Sequence, residues 1–349
     1  MPEIYFRFSS GSGNFSAPGI VVHGVTANPK PVINQNQTHM NPASFSSPQH
    51  TMALAALGLL TALGGVRAAH AQQYQFRVVA SGLHRPTGIA VQGNHTVFFT
   101  EVPTPGVNGP NGGSNSVSQL TLSSGSVTVL HTGEPEPVNI AVGSDNDIYW
   151  TCKTAGVILK QDDEGATSVA LSGLAKPSGV SVDRCGNLFF TQVPTPGVAG
   201  PNGGMNSVNL AFGTNTVSLH MGEPEPVDIV VSKGGDLYWT CRTAGVILVS
   251  AQGGAASVLL RDLQKPTGIA LDAEGRNLYF TEVPTPAISG ANGGMNKVWQ
   301  YNFKSGTKTL VHSGDPEPTD VAVARNGNIY WTCSSAGVIV EARLKPVKR

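Results

Sequence analysis

Apolar residues in this chain fall in short alternating runs, separated by clusters of Gly, Pro, Asn, Asp and Ser. That period predicts half-buried strands joined by turns rather than amphipathic helices. Strands are expected over Thr87 to Val91, Val97 to Glu101, Val117 to Leu122 and Val127 to His131. A second set follows over Val138 to Val142, Ile148 to Cys152, Gly156 to Gln161 and Ser168 to Leu171. The pair of sets then recurs. Glu101-Val102-Pro103-Thr104-Pro105 returns at Gln192 to Pro196 and at Glu282 to Pro286, and Tyr149-Trp150-Thr151-Cys152 returns at Tyr238 to Cys241 and at Tyr330 to Cys333. Four short strands per set, in three tandem two-set units, predict an all-β, six-bladed β-propeller. The last set stops at its third strand, Gly337 to Ala342, while Phe76 to Leu83 matches the outer strand of the second set, Val169 to Leu174. The N-terminal strand is therefore expected to complete the last blade and close the ring, leaving no open edge between first and last blades.

The phrases Pro86-Thr87-Gly88-Ile89-Ala90-Val91 and Ile148-Tyr149-Trp150-Thr151 resemble the innermost and second strands of six-bladed propellers of the NHL, YWTD and gluconolactonase-like superfamily. The resemblance covers residues 75 to 345. It implies the fold and leaves the activity open, because members include receptor ectodomains, scaffolds, lactonases, esterases and an antibiotic-cleaving lyase. One departure is systematic: Cys152, Cys241 and Cys333 stand where the YWTD pattern has Asp.

Composition narrows the function classes. Charged residues make up 13% of the chain and the net charge is +0. No basic stripe is available to neutralise phosphates, so a nucleic-acid partner is not expected. The apolar run Ala53 to Val66 is shorter than the roughly 20 residues a membrane span needs. It reads as an export signal over residues 52–71, ending in the small-residue pattern Ala69-His70-Ala71. Residues 1–51 lack apolar periodicity and are expected to be disordered or to precede the true start at Met52. The propeller would then occupy 72–349 of a secreted or periplasmic protein, expected to be a monomer.

Two loop families should surround one mouth of the axial channel. The residue before the first proline of each set alternates in sign around the ring: Arg85, Glu136, Lys176, Glu225, Lys265, Glu317. Either the three glutamates converge on a cation such as Ca²⁺ or Mg²⁺, with Asn139, Asp228 and Asp320 in support, or the six charges pair between blades. The long loops Glu101 to Asn115, Gln192 to Asn206 and Glu282 to Asn296 should form a collar. Within them Asn111, Asn115, Asn202, Asn206, Asn292 and Asn296 either bind a polar ligand such as a sugar or serve turns. Glu101, Gln192 and Glu282 are further ligand candidates, and the Gln shows that this position need not be ionised.

The cysteines lack metal-site spacing and read as small buried hydrophobes, while His131, His220 and His312 read as cap or surface residues. No nucleophile or phosphate-loop motif is present. A nearly threefold ring also lacks the asymmetry that acid–base catalysis uses. Binding of a small polar ligand, a cation or a protein loop at the mouth is the leading expectation. A metal-assisted lactonase, esterase or lyase is the alternative that the resemblance implies, with a carboxylate-held ion polarising a carbonyl.

Overall fold

The structure is a computed structural model and describes residues 74–106, 114–197, 204–286 and 295–345. Asn111, Asn202 and Asn292 lie outside the described residues, as do the export signal and the segment before it. Blade 1 comprises β2 (Pro86–Gln92), β3 (Thr96–Glu101), β4 (Ser116–Thr121) and β5 (Ser126–Thr132). Blade 2 comprises β6 (Pro137–Val142), β7 (Ile148–Cys152), β8 (Val157–Gln161) and β9 (Thr167–Leu171). Blade 3 follows with β10 (Pro177–Val182), β11 (Leu188–Gln192), β12 (Ser207–Phe212) and β13 (Asn215–Met221), and blade 4 with β14 (Pro226–Val231), β15 (Leu237–Cys241), β16 (Val246–Ser250) and β17 (Ala256–Leu260). Blade 5 is β18 (Pro266–Leu271), β19 (Asn277–Glu282), β20 (Lys297–Asn302) and β21 (Thr307–Ser313). Blade 6 has β22 (Pro318–Val323), β23 (Ile329–Cys333) and β24 (Val338–Leu344). Its fourth strand is β1 (Tyr74–Ser81), antiparallel to β24, with Arg77 and Arg343 both bonded to the buried Glu341. The six innermost strands contact one another in sequence, and β22 contacts β2, so the blades form a ring.

The core lies between blades. Trp150, Ile148 and Cys152 of blade 2 pack on Ala90 and Phe98 of blade 1, while Tyr149 and Ile158 pack on Leu188 and Phe190 of blade 3. Opposite faces of one strand thus fill two successive interfaces, as the period of two requires.

The repeated threonine of the second strand has a specific task. Each innermost strand shifts register just after its proline, which leaves an amide without a ladder partner. A buried hydroxyl accepts that amide in every blade: Thr100 from Gly88 at 2.8 Å, Thr151 from Asn139 at 3.2 Å, Thr191 from Gly179 at 2.8 Å. Thr240, Thr281 and Thr332 do the same for Asp228, Gly268 and Asp320. Thr151, Thr240 and Thr332 also donate to a carbonyl of the next blade's innermost strand, at 2.7, 2.7 and 2.8 Å. One side chain therefore satisfies a buried donor and joins two blades, which is why a short hydroxyl residue recurs there.

The two-blade period also has a steric origin. A Cβ at Gly88, Gly179 or Gly268 would lie 2.6, 2.6 or 2.4 Å from the Cα of Asn139, Asp228 or Asp320 respectively. Odd blades must present Gly at this axial position because even blades fill the space in front of it.

Candidate functional site

At the third position of the innermost strands, the even blades send Asn139, Asp228 and Asp320 to a common point on the axis. Asn139 Nδ2 donates to Asp228 Oδ1 and to Asp320 Oδ2, each at 3.2 Å. The two carboxyl groups also hydrogen-bond each other, so the three side chains close a triangle. Each further accepts an amide from the following odd blade: Val180 to Asn139, Ile269 to Asp228 and Ile89 to Asp320, all at 2.9 Å. Own-strand amides of Ile229 and Val321 complete the carboxylate shells at 2.8 and 2.7 Å. The amide of Asn139 supplies two hydrogens, so the third edge of the triangle needs a proton on one acid. Burial pushes the Asp228 carboxyl up to about 7, and burial together with the neighbouring Asp228 raises Asp320 well above the usual carboxylate range. Near neutral pH this pair carries at most one charge.

The triangle lines cavities on both of its sides and forms the floor between them. One cavity, of about 270 Å³, opens beside the loop-bearing mouth and includes Lys153, Lys176, Glu225, Arg242 and the innermost-strand residues Thr87, Ser178, Thr267 and Thr319. The other, of about 240 Å³, runs between the Ile, Val and Ala residues of the innermost strands.

All six alternating charges adopt the left-handed backbone: Arg85, Glu136, Lys176, Glu225, Lys265 and Glu317 have φ between 51° and 58°. This bend aims each carbonyl at the amide just beyond the second strand, from Val102 to Arg85 at 3.1 Å round to Ser334 to Glu317 at 3.0 Å. Left-handed φ costs an L-residue roughly 1–2 kcal/mol that glycine avoids. Each glutamate accepts a hydroxyl of its own blade, Glu136 from Thr154, Glu225 from Thr243 and Glu317 from Ser335, and Glu136 also accepts the Gly106 amide of the blade 1 loop at 3.3 Å. Among the described residues none of Arg85, Lys176 and Lys265 forms an ion pair, so the closed ring of salt bridges does not occur. Lys153 instead approaches Glu136, with Nζ 3.7 Å from Oε1.

With this geometry the comparisons become informative. No protein-family model matches the chain. A curated relative, the low-density lipoprotein receptor-related protein 1 of Pyricularia oryzae, is 26% identical over 241 residues, covering 58% of this chain and 71% of the relative. Among solved structures, a streptogramin B lyase superposes with a TM-score of 0.55 at 18% identity, covering 78% of this chain and 98% of its own. A calcium-binding protein, regucalcin, from Agrobacterium tumefaciens gives 0.56 at 15% identity, covering 79% and 98%, and a putative gluconolactonase gives 0.56 at 12%, covering 78% and 92%. The fold is a six-bladed β-propeller, the architecture these solved structures share.

Propellers of this kind include one whose name declares calcium binding, and the candidate donors here can be tested for fit. Calcium takes about six to eight oxygens. Asn139, Asp228 and Asp320 do converge, but Asn139 turns its NH₂ toward the acids because Oδ1 is held by the Val180 amide. Among the described residues no three His, Cys, Asp or Glu side chains come together as a metal-binding group, so Glu136, Glu225 and Glu317 do not share one coordination sphere. As arranged, the donor set does not fit a divalent ion.

Asn115, Asn206 and Asn296 and the residues at the loop bases form hydrogen bonds within the fold. Asn115 accepts from the Thr104 amide at 3.0 Å and donates to the carbonyls of Thr104 and Glu134, both at 3.1 Å. Asn206 and Asn296 repeat the pattern, and all three are fully buried. They pin each long loop to the next blade. Glu101 accepts the His84 amide at 2.6 Å, Gln192 that of Ala175 and Glu282 that of Gln264 at 2.8 Å. An oxygen that accepts an amide need not be ionised, which explains the Gln.

A further constellation, unseen in the sequence, sits in each even blade. Trp150 Nε1 donates to Glu134 at 3.0 Å and Trp239 Nε1 to Glu223 at 3.1 Å, with Cys152 and Cys241 against the same carboxylates at 3.5 and 3.8 Å. His131 and His220 stack on these indoles, at centroid distances of 4.8 and 4.9 Å, rather than capping strands. Burial and the adjacent carboxylate push the Cys152, Cys241 and Cys333 thiols up, which holds them as inert thiols. In the third copy Asp315 is one methylene shorter. Its carboxylate takes His312 Nδ1 at 2.6 Å and leaves Trp331 Nε1 without a partner.

Proposed function

We propose that the chain is an exported binding propeller that holds a small polar ligand in the cup at the axial mouth. The observation that carries this reading is the set of six charged side chains on left-handed backbone around the mouth. Glycine would relieve that strain at every position, so long charged side chains there point to a use for them. The cup beneath is small, blind at the axial triangle and walled by charged and hydroxyl side chains. The carboxylates of Glu134, Glu223 and Asp315 and the buried thiols of Cys152, Cys241 and Cys333 are engaged in structural bonds. This favours binding over turnover. Among the described residues no helix is long and apolar enough to cross a membrane, and the Ala-His-Ala pattern at 69–71 supports export.

The test is a thermal-shift panel of neutral sugars, polyols, amines and carboxylates on the purified protein, run beside lactone and ester hydrolysis assays. A saturable rise in Tm with one chemical class and no turnover is expected. Turnover of a lactone or ester would replace this reading with the enzymatic one, and a flat panel would remove the cup as a site.

A further inference from the structure

The charge around the mouth is not shared evenly between blades. After the even-blade cysteine stand Lys153, Arg242 and Ser334, so blades 2 and 4 add a cation where blade 6 has a hydroxyl. The cup lies on that richer side, where Lys153, Lys176 and Arg242 converge with Glu225 as the one rim acid among its lining residues. Glu225 is already held by the Thr243 hydroxyl, and the floor pair carries at most one charge. Lys153 lies 3.7 Å from Glu136 Oε1, so Lys176 and Arg242 are the cup-lining cations without an ion-pair partner among the described residues, and in a concave site they favour a negatively charged ligand.

Resting on the reading of this cup as a binding site, we infer that its ligand is a compact anion carrying a carboxylate or phosphate group. The closed floor and the volume of about 270 Å³ select a compact molecule. Arg242 presents a planar fork suited to bidentate contact with either anion, and Lys176 adds a point charge to the same lining. Thr87, Ser178, Thr267 and Thr319 add hydroxyl groups to the lining.

Calorimetric titration with citrate, with inorganic pyrophosphate and with glucose as a neutral probe, at constant ionic strength, decides the matter. Citrate or pyrophosphate should bind with an affinity that falls steeply as salt is raised, and glucose should not bind. The stronger of the two identifies the anionic group. Arg242→Ala and Lys176→Gly should each weaken binding about tenfold, roughly 1.4 kcal/mol. Lys176→Gly suits the left-handed backbone and should keep the unliganded Tm. Lys265→Ala, the equivalent rim position outside the cup lining, should leave affinity unchanged. Equal losses from Lys265→Ala and Lys176→Gly would overturn the inference, since they would mark diffuse surface attraction. Glucose binding without either anion would overturn it while leaving the cup standing. No binding by any probe here, with the broader panel also flat, would remove both.

Discussion

The axial triangle makes the stability of this propeller depend on pH in a direction opposite to that of most acid-rich folds. Burial holds the Asp228 carboxyl at about 7 against an ordinary value of 3.8, with Asp320 raised well above that value beside it. The folded state therefore keeps a proton that the unfolded chain releases. Stability from this site is greatest below about pH 4 and falls as pH rises through 7. A shift of about three pH units at roughly 1.4 kcal/mol each gives a loss on the order of 4 kcal/mol from Asp228. Around the triangle the other axial strands present Gly88, Gly179 and Gly268, and the third apex is Asn139, so no further titratable group faces the pair at this level.

Asp228→Asn is the informative substitution, because it removes one titrating member and supplies N–H groups toward Asp320. At low pH the variant should match or fall below the parent, since one amide of the carboxylate shell loses its oxygen. As pH rises from 5 to 8, about two pH units of that loss remain, so the difference in Tm should move in the variant's favour by roughly 5–10 °C, given about 2–4 °C per kcal/mol for a domain approaching this size. Chemical denaturation at matched pH provides the free energies directly. Parallel parent and variant curves across this range would refute the shared-proton account.

Three more outcomes are expected. Gly268→Ala places a Cβ 2.4 Å from the Asp320 Cα and should destabilise by about 1–3 kcal/mol in a denaturant melt, whereas Gly306→Ala, at a turn open to solvent, should disturb no axial contact. Glu225→Gln keeps a partner for Thr243 and should shift Tm little, and added Ca²⁺ should leave the parent Tm unchanged; a saturable Ca²⁺ stabilisation lost in Glu225→Gln would restore the cation reading. Mass spectrometry of the exported protein should show an N-terminus at Gln72, and recovery of a product retaining residues 1–51 would exclude cleavage after Ala71.

Strand positions were legible because turn residues punctuate every blade and because each motif occurs three times. The predicted Val97 to Glu101 is β3 (Thr96–Glu101), and the predicted Ile148 to Cys152 is β7 with the same bounds. Side-chain direction was not legible. Spacing placed Glu136 beside Lys176 and Arg85 around the ring, but its hydroxyl partner, Thr154, lies 18 residues on in the next hairpin of the same blade. Asn115 was open between ligand and turn, and only the fold shows that Thr104 and Glu134 surround it. The axial triangle had a readable signal that the charges obscured: Gly88, Gly179 and Gly268 alternate with Asn139, Asp228 and Asp320 at one strand position. Lys153 and Arg242, one residue past each cysteine, had no signal until the cup placed them beside Lys176.

Departures from threefold symmetry are where this propeller can become specific. A perfect repeat would place three identical acids on the axis, whose like charges could not all ionise together. Replacing one by Asn139 supplies two hydrogens and reduces the problem to a single shared proton. The same logic applies at the mouth. Ser334 in place of a cation, and Asp315 in place of a glutamate, set blade 6 apart from blades 2 and 4. Ligand recognition by a ring of copies needs such a difference, because equivalent positions would offer the same contacts in three orientations. The cup lies on the blades that retain the cations, so the broken copy and the proposed binding side would be two consequences of one asymmetry.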